Sequence, residues 1–369
     1  MPTSARLILG IESSCDETAA AVVADGRRVL SDVVATQHEL HERYRGVVPE
    51  IASRAHVERI LPVVRESVRA AGIGLGDLDA IAVGHRPGLI GSLLVGTSAA
   101  KALAWSLKRP FLGVDHVAAH LFAGLLDADD VAYPSLGLVV SGGHTSLFLV
   151  RDPLRLELLG RTIDDAIGEA FDKAATILGL GYPGGPKVDA LAARGDDRAI
   201  DLPIAHLGRD PDGRRSLDVS FSGLKTALLY AVRGVPERPR QGARSGPPVY
   251  PRTADDLSDQ AKADCAASFQ RVAVRTVLVQ VERALEALRG TTPIHGLLVG
   301  GGASANSRLR RELAELARAH ALELRLPPFR WCLDNAAMIA GYAHHRLVAG
   351  ERDPLSLAPS PASSLGARR

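Results

Sequence analysis

Two histidines four positions apart, His116 and His120 in VDHVAAHLFAG (114–124), are the first residues of this chain whose types and spacing can do chemistry. On a helix that spacing brings both imidazoles to one face, close enough to grip one ion. Two polar residues on a passing helix have the same spacing, so the pair alone decides nothing. Val117 follows the first histidine, where the zinc-protease pattern H-E-x-x-H needs a glutamate as base. A third ligand must come from elsewhere and should offer oxygen or nitrogen. The candidate is Asp334 in RWCLDNAAMIAGYA, although an aspartate before an apolar helix is also an ordinary N-cap.

Three small-residue loops add to this. LLVGGGASANSRLRREL (297–313) reads as a strand, a glycine turn and a helix start, where free N–H groups face an anion. Asn306 there can cap the helix or hydrogen-bond a ribose. The glycines fit neither the dinucleotide fingerprint nor a Walker A loop. SGGHT (141–145) follows a buried strand, where doubly wound sheets present ligands, and lacks the serine-hydrolase elbow. Cys15, in SSCDET (13–18), reads as a small buried residue rather than a nucleophile. In DAIGEAFDKAATIL (165–178), Asp165, Glu169 and Asp172 share a helical face beside Lys173; a solvated face explains them as well as a site does.

The elements that must hold these residues follow from periodicity. Segments 7–13, 18–24 and 28–35 read as strands, with the Asp25-Gly26 turn between the last two. A helix over 50–71 is predicted from Ile51, Ala55, Ile60, Val64 and Val68. Strand 79–84, helix 92–107, strand 111–114 and the two-histidine helix complete a half. A second set, 136–142, 145–150 and 156–162, repeats the strand–loop–strand–turn–strand opening about 129 residues later. The loops SSCDET and SGGHT occupy the same place in each copy, so two duplicated halves facing a cleft are expected. Helices at 165–178, 187–193 and 255–289 and a strand at 294–299 follow. The stretch 233–252 is rich in Pro, Gly and Arg, lacks apolar periodicity and reads as a mobile basic loop. The Pro/Ser/Ala-rich tail, 351–369, is expected to fray. The domains expected are an N-terminal lobe over 1–132, a C-terminal lobe over 133–333, and a helix over 334–350 returning to the first lobe.

Bulk properties bound the function. A chain of 369 residues, 46% apolar and 23% charged, buries a large core. A formal net charge of +2 does not by itself announce a nucleic-acid binder. Three distant cysteines with no CxxC fit a reducing cytosol, so a cytoplasmic location is expected. No apolar stretch is read as approaching the roughly 18 residues of a membrane span, so no membrane is expected among the partners.

Nine stretches stand together in one order: GIESSCDETAAAVV, GVVPEIASRAHV, PGLIGSLLVG, DHVAAHL, VVSGGHTSL, IDDAIGEAFDKAATILGLGYPGGP, SFSGLKTAL, GGGASAN and LDNAAMIA. In this the chain resembles the bacterial TsaD family, tRNA N6-adenosine threonylcarbamoyltransferases once described as O-sialoglycoprotein endopeptidases, over about residues 7–345. The resemblance implies an α/β fold, the duplicated actin/sugar-kinase/Hsp70-like one, with two lobes around a nucleotide-binding cleft. It implies one divalent metal ion per subunit, Fe2+ first and Zn2+ second, on His116, His120 and Asp334. It implies a threonylcarbamoyl-AMP site at Val139, Val140, Ser141, Gly142, Gly143, Asp172, Gly185, Asp189 and Asn306. The implied partners are tRNA, a TsaB-like paralogue forming a heterodimer, and a TsaE-like ATPase. Where the family usually has glycine, this chain has Arg86 and Arg45, and its 233–252 stretch looks longer than typical. These three are candidates for phosphate contacts with tRNA.

The implied reaction passes the threonylcarbamoyl group to N6 of the adenosine 3′ of the anticodon, position 37, in tRNAs reading codons that start with A. Asp16 or Glu17, across the cleft, is the candidate proton acceptor, with His144 as a weaker one. A sugar or carboxylate kinase of the same fold does not explain two histidines and an aspartate. A metalloprotease lacks its glutamate, and a scaffold subunit has no need of loops in both halves.

Overall fold

The computed structural model describes residues 5–42, 44, 46–205, 207–209, 213, 215–236 and 248–365. Among them, two five-stranded sheets carry the same topology. In the first, β1 (Leu7–Glu12), β2 (Glu17–Ala24) and β3 (Arg28–Thr36) form an antiparallel meander. After α1 (His38–Glu42) and α2 (Pro49–Ala70), β4 (Ala80–Arg86) adds parallel to β1. Beyond α3 (Ile90–Leu107), β5 (Phe111–Asp115) adds parallel to β4 and runs straight into α4 (His116–Phe122).

The second sheet repeats this with β6 (Ser135–Val140), β7 (Thr145–Asp152) and β8 (Arg155–Arg161) as its meander. Then come α5 (Ile167–Leu178), α6 (Gly184–Ala192), α7 (Ser222–Arg233) and the long α8 (Asp259–Leu288). Strand β9 (Gly296–Gly300) adds parallel to β6; past α9 (Ser307–Ala319), β10 (Glu323–Arg325) adds parallel to β9. The last helix, α10 (Ala336–Val348), leaves this sheet and packs on β1 and β2 of the first. The strand orders, β3-β2-β1-β4-β5 and β8-β7-β6-β9-β10, are the same path drawn twice.

Strand parity explains why the inner strands read as continuous apolar runs: both faces of each sheet are covered. In β1, Leu9 and Ile11 face a core built with α2 and α3, while Ile8 faces a core shared with α4 and α10. In β6, Leu136, Leu138 and Val140 face α5 and α8, while Val139 faces that same shared layer. Leu121 and Phe122 of α4 and Leu298 of β9 join it, so α4 and α10 form a packed layer between the sheets. Gly10 is required there: a Cβ would lie 2.3 Å from the Ala336 carbonyl oxygen of α10.

Several expectations need correction. Helix α5 starts at Ile167, not 165, because Thr145 Oγ1 and the Ser141 carbonyl take the Ile167 and Gly168 N–H groups at 2.8 and 3.1 Å. Asp165 thus lies before the helix, bonded to Lys173 (2.6 Å) and Lys225 (2.7 Å). The tail does not fray over 351–365. Asp353 accepts from Gly113 N–H (2.8 Å), the Leu357 carbonyl from Lys101 (2.5 Å), and Ser360 N–H donates to the His85 carbonyl (3.0 Å). The 233–252 stretch, expected to be a mobile basic loop, lies partly outside the described residues, at 237–247; at its C-terminal end the described Arg252 is tied down. Arg252 Nε donates to the Val232 carbonyl at 2.8 Å and its Nη2 to that of Ala231 at 2.5 Å. By length and composition α3 is also apolar enough to cross a membrane, against the expectation that no stretch approaches that.

Candidate functional site

Helix α4 begins where β5 ends, and Asp115 makes the junction. Its Oδ1 accepts from Val117 N–H at 3.0 Å and Ala118 N–H at 3.4 Å, which caps the helix and sets its first turn. Every residue of α4 is buried, so its two histidines face protein, not solvent. Their rings meet edge to face with centroids 4.5 Å apart. Asp334 arrives from the segment between β10 and α10: its Oδ1 lies 3.4 Å from His116 Nε2 and 3.2 Å from His120 Nε2. Asp334 is not the cap of α10: Asn335 is, accepting from Met338 N–H at 2.9 Å, so the Asp334 carboxylate is free to face the histidines.

The donor set fits a divalent ion. One donor atom from each of the three residues lies within 4.8 Å of the others. His120 is 1% exposed; its Nδ1 has no hydrogen-bond partner among the described residues, and its Nε2 faces only Asp334 Oδ1, at 3.2 Å. A buried imidazole so placed costs free energy unless something binds it. Burial alone depresses the His116 imidazole, but Asp334 and Glu12 overcome that and raise it well above its ordinary value. Burial likewise opposes the Asp334 charge, yet His116 and His120 hold the carboxyl well below the usual range. Burial and the neighbouring His116 keep His120 below its ordinary value. A metal arriving at this cluster displaces a proton from it.

Glu12 escaped the sequence reading as a functional residue. It is fully buried, its Oε2 lies 3.0 Å from His116 Nδ1, and its Oε1 accepts from Ser14 N–H at 2.5 Å. A carboxylate behind a ligating imidazole fixes the ring's tautomer and orientation. Gly84 on β4 makes the room, since a Cβ there would sit 2.5 Å from Glu12 Oε2. The signal that marks this residue is a lone acid in an otherwise apolar strand, LILGIE.

The turn between β6 and β7 comes next to this cluster. Ser141 N–H donates to the His144 carbonyl (2.7 Å) and His144 N–H to Ser141 Oγ (3.1 Å), which closes a tight SGGH turn. Gly142 and Gly143 stand exposed at its tip, with open space where each Cβ would go. Burial first, then His116 and His120, pushes His144 down to about 4, so its ring is neutral at pH 7. Val139 and Val140 are fully buried and paired in the sheet, and Ser141 is buried too; of that run only Gly142 and Gly143 are exposed.

The other predicted binding residues spread along α6 and α9. Asp172 Oδ1 accepts from Gly184 N–H (2.8 Å) and caps α6, with burial raising its carboxyl. Gly185 has open space at its Cβ position. Asp189 joins α6 to α9, accepting from Ser307 N–H (3.0 Å) and Ser307 Oγ (2.7 Å), and lines a cavity of about 460 Å³ with Gln270 and Arg308. None of the three clustered metal-site residues lines that cavity. Asn306 is the N-cap of α9, its Oδ1 accepting from Leu309 N–H at 3.0 Å, so that oxygen already has a partner.

Across from these, the β1–β2 turn holds Asp16 and Glu17. His56 of α2 clamps it: Nδ1 lies 2.8 Å from Thr18 Oγ1 and Nε2 3.0 Å from the Cys15 carbonyl. Burial lifts the Cys15 thiol far above its ordinary value, which agrees with an inert residue. Burial also raises Glu17 to about 8, against the pull of His38 and with a push from Asp16 and Asp334. Arg86, a candidate tRNA contact, instead faces the cap of α4, its Nε 3.5 Å from Asp115 Oδ2. Arg45 lies outside the described residues.

Comparison with known proteins bears on this arrangement. The profile of the family TsaD, described as tRNA N6-adenosine threonylcarbamoyltransferase, matches residues 28–341. A protein of that description from Symbiobacterium thermophilum is 50% identical over 363 residues, 98% of each chain. One from Anaeromyxobacter dehalogenans is 48% identical over 359 residues, 96% of this chain and 98% of its own. In fold, HypF from T. kodakarensis matches with a TM-score of 0.53 at 14% identity, over 94% of this chain and 48% of its own. Component A of the Acidaminococcus fermentans (R)-2-hydroxyglutaryl-CoA dehydratase matches at 0.50 with 12% identity, over 93% and 99%. The fold is the duplicated α/β one shared by actin, sugar kinases and Hsp70-type ATPases.

Proposed function

The chain belongs to the TsaD family of tRNA N6-adenosine threonylcarbamoyltransferases and is an acyl-transferring enzyme, and from that premise we propose the following reaction. The threonylcarbamoyl group of threonylcarbamoyl-AMP passes to N6 of adenosine 37, 3′ of the anticodon, in tRNAs reading codons that start with A. N6 attacks the carbamoyl carbon, the bond from that carbon to the phosphate oxygen breaks, and AMP departs. The observation that carries this reading is the His116–His120–Asp334 cluster, with both histidines buried and His120 Nδ1 unpartnered among the described residues, beside the open Gly142–Gly143 turn.

His116, His120 and Asp334 would hold the ion, with Glu12 orienting His116. Two imidazoles and a carboxylate suit iron and zinc about equally; the family resemblance puts Fe2+ first and Zn2+ second. When bound, a divalent ion supplies Lewis-acid polarisation of an acyl or phosphoryl oxygen. The exposed Gly142–Gly143 tip lets backbone N–H groups approach the phosphate or the developing oxyanion. Asp16 or Glu17 receives the proton that N6 loses; Glu17, raised by burial to about 8, is mostly protonated at pH 7 and accepts only in its ionised fraction, which grows above that pH. His144, neutral at pH 7, is the second acceptor. Val139 and Val140 act by placing the turn; Asp172, Gly185, Asp189 and Asn306 shape the nucleotide side around the start of α6 and α9.

For partners, we infer a TsaB-like paralogue in a heterodimer and a TsaE-like ATPase. Two exposed apolar pairs at helical spacing support a protein-covered face: Val57 and Leu61 on α2, and Ile90 and Leu94 on the neighbouring α3. The same reading gives α3 its apolar character without a membrane and sets the enzyme in the cytoplasm, with its tRNA. The test is reconstitution of the chain with both partners, unmodified tRNA, threonine, bicarbonate and ATP, followed by nucleoside mass spectrometry. Threonylcarbamoyladenosine should form with the parent chain and be lost with Asp334→Ala. Equal product from that variant, or none from the complete set, would overturn the proposal.

A further inference from the structure

A second group of metal-capable side chains stands outside the first. Asp16, Glu17 and His38 each bring one donor atom within 4.8 Å of the others. Glu17 opens β2, Asp16 precedes it in the turn, and His38 opens α1, just after β3, the strand paired with β2. His38 Nε2 lies 3.3 Å from Glu17 Oε1 and 3.9 Å from Asp16 Oδ2.

Asp16 supplies an independent sign of a ligand. The residue is only 7% exposed, and its Oδ2, the oxygen turned toward His38, is buried without a hydrogen-bond partner among the described residues. A buried carboxylate oxygen left without a partner beside a second acid and an imidazole is an arrangement that a bound cation would satisfy. His38 reaches the group from the open side, with its side chain 41% exposed, so it can swing the last few tenths of an ångström. Donors around a small divalent ion, at about 2.0–2.2 Å each, stand roughly 3–3.5 Å apart, close to the spacing found. The edge of Tyr182 approaches His38 with ring centroids 6.3 Å apart, so the group sits where the β1–β2 turn meets the segment that leads into α6.

We propose that Asp16, Glu17 and His38 form a second divalent-cation site, taking a first-row ion such as Mn2+ or Zn2+ with water on its open side. One imidazole with two carboxylates accepts either ion. Half-exposure of His38 makes the site weaker and faster to exchange than the buried first one. A carboxylate that binds the cation through one oxygen keeps its other oxygen free, so the site is compatible with proton acceptance at this turn. The proposal does not depend on the transfer reaction.

The probe is Mn2+ alone, added to full-length chain stripped by a chelator, with free Mn2+ read from its electron paramagnetic resonance signal. The parent should bind two equivalents. His38→Ala and Asp16→Asn should each keep the tighter equivalent and weaken the other at least about tenfold. Asp334→Ala should lose the tighter one and keep the weaker, so failure at the first site is told apart from failure at the second. Circular dichroism and thermal melting confirm that each variant is folded, and His38, on a short exposed helix, carries the test if Asp16→Asn is not. An Asp334→Ala protein that is folded and binds no Mn2+, or a folded His38→Ala protein that binds as the parent does with unchanged constants, overturns the site.

Discussion

Gly300→Ala should disturb the His116–His120–Asp334 cluster without replacing any of its three residues. Gly300 ends β9, inside the second sheet between β10 and β6, and pairs with Val139. A Cβ there would lie 1.9 Å from the His120 carbonyl oxygen and 2.5 Å from its carbon. Ordinary contact begins near 3.4 Å, so the two backbones must part by about 1.5 Å, 3.4 less 1.9. Neither has a soft side: α4 is buried throughout, and β9 has a strand on each flank. Overpacking of this kind costs about 1–3 kcal/mol, and more where backbone meets backbone. Metal geometry is less forgiving, since ligand distances hold to about 0.2 Å. We therefore expect a melting midpoint several degrees lower and metal affinity reduced at least about tenfold. Calorimetric melting and elemental analysis of the purified variant measure both. Gly142→Ala, with open space at its Cβ, is the control and should keep the parental midpoint and metal content. A Gly300→Ala protein with parental midpoint and full metal would refute the seating of α4 on β9.

The same control makes a second prediction: Gly142→Ala and Gly143→Ala should retain fold and metal yet lose roughly tenfold to a hundredfold of transfer activity in the reconstituted assay, because each Cβ fills space where a ligand must approach. Glu12→Gln keeps the shape behind His116 but removes the charge, and should weaken metal binding about 10–100-fold by competition against a chelator. His345, held at about 4 by burial and then by His344, is neutral in the folded chain at pH values where the unfolded chain protonates it. Stability should thus fall as pH drops from about 6.5 to 4, by up to ~2–3 kcal/mol, and His345→Gln should flatten that limb in urea titrations. Deleting 351–369 leaves the Gly113 N–H and Lys101 without Asp353 and the Leu357 carbonyl, and should lower the melting midpoint; an unchanged midpoint would mean the tail is not anchored in solution.

Legibility followed the kind of signal each feature leaves in sequence. The duplicated meanders were readable because each strand is an apolar run bounded by turn residues, and both copies obey one spacing. Helix starts were less so: α5 begins two residues late because Thr145 and Ser141, from another turn, supply its first hydrogen bonds. Asp334 could not be told from a cap, since aspartate and asparagine cap equally well; the decision lay in Asn335 taking Met338 N–H. Glu12 looked like one acid in a strand, because its meaning depends on His116, 104 positions away. The tail's composition lacks apolar period, yet its anchors are backbone groups, such as Ser360 N–H on the His85 carbonyl, that composition does not register.

The position of the cluster follows from the duplication. In the first half the chain leaves β5 and turns at once into α4, which carries His116 and His120. In the second half it leaves the equivalent strand, β10, and delivers Asp334 just before α10. The segments after the two equivalent strands therefore supply the histidines from one copy and the carboxylate from the other. They meet because α10 crosses back to the first sheet and packs beside α4 in the shared core. Gly10 is where that crossing is tightest, with the α10 backbone against β1. A shift between the halves would separate the three side chains, because Asp334 enters from the second sheet while both histidines are fixed to the first. Asp334 itself bridges the two, lying 3.4 Å from His116 Nε2 and 3.2 Å from His120 Nε2, and Arg346 of α10 adds a hydrogen bond to the Gly113 carbonyl of β5.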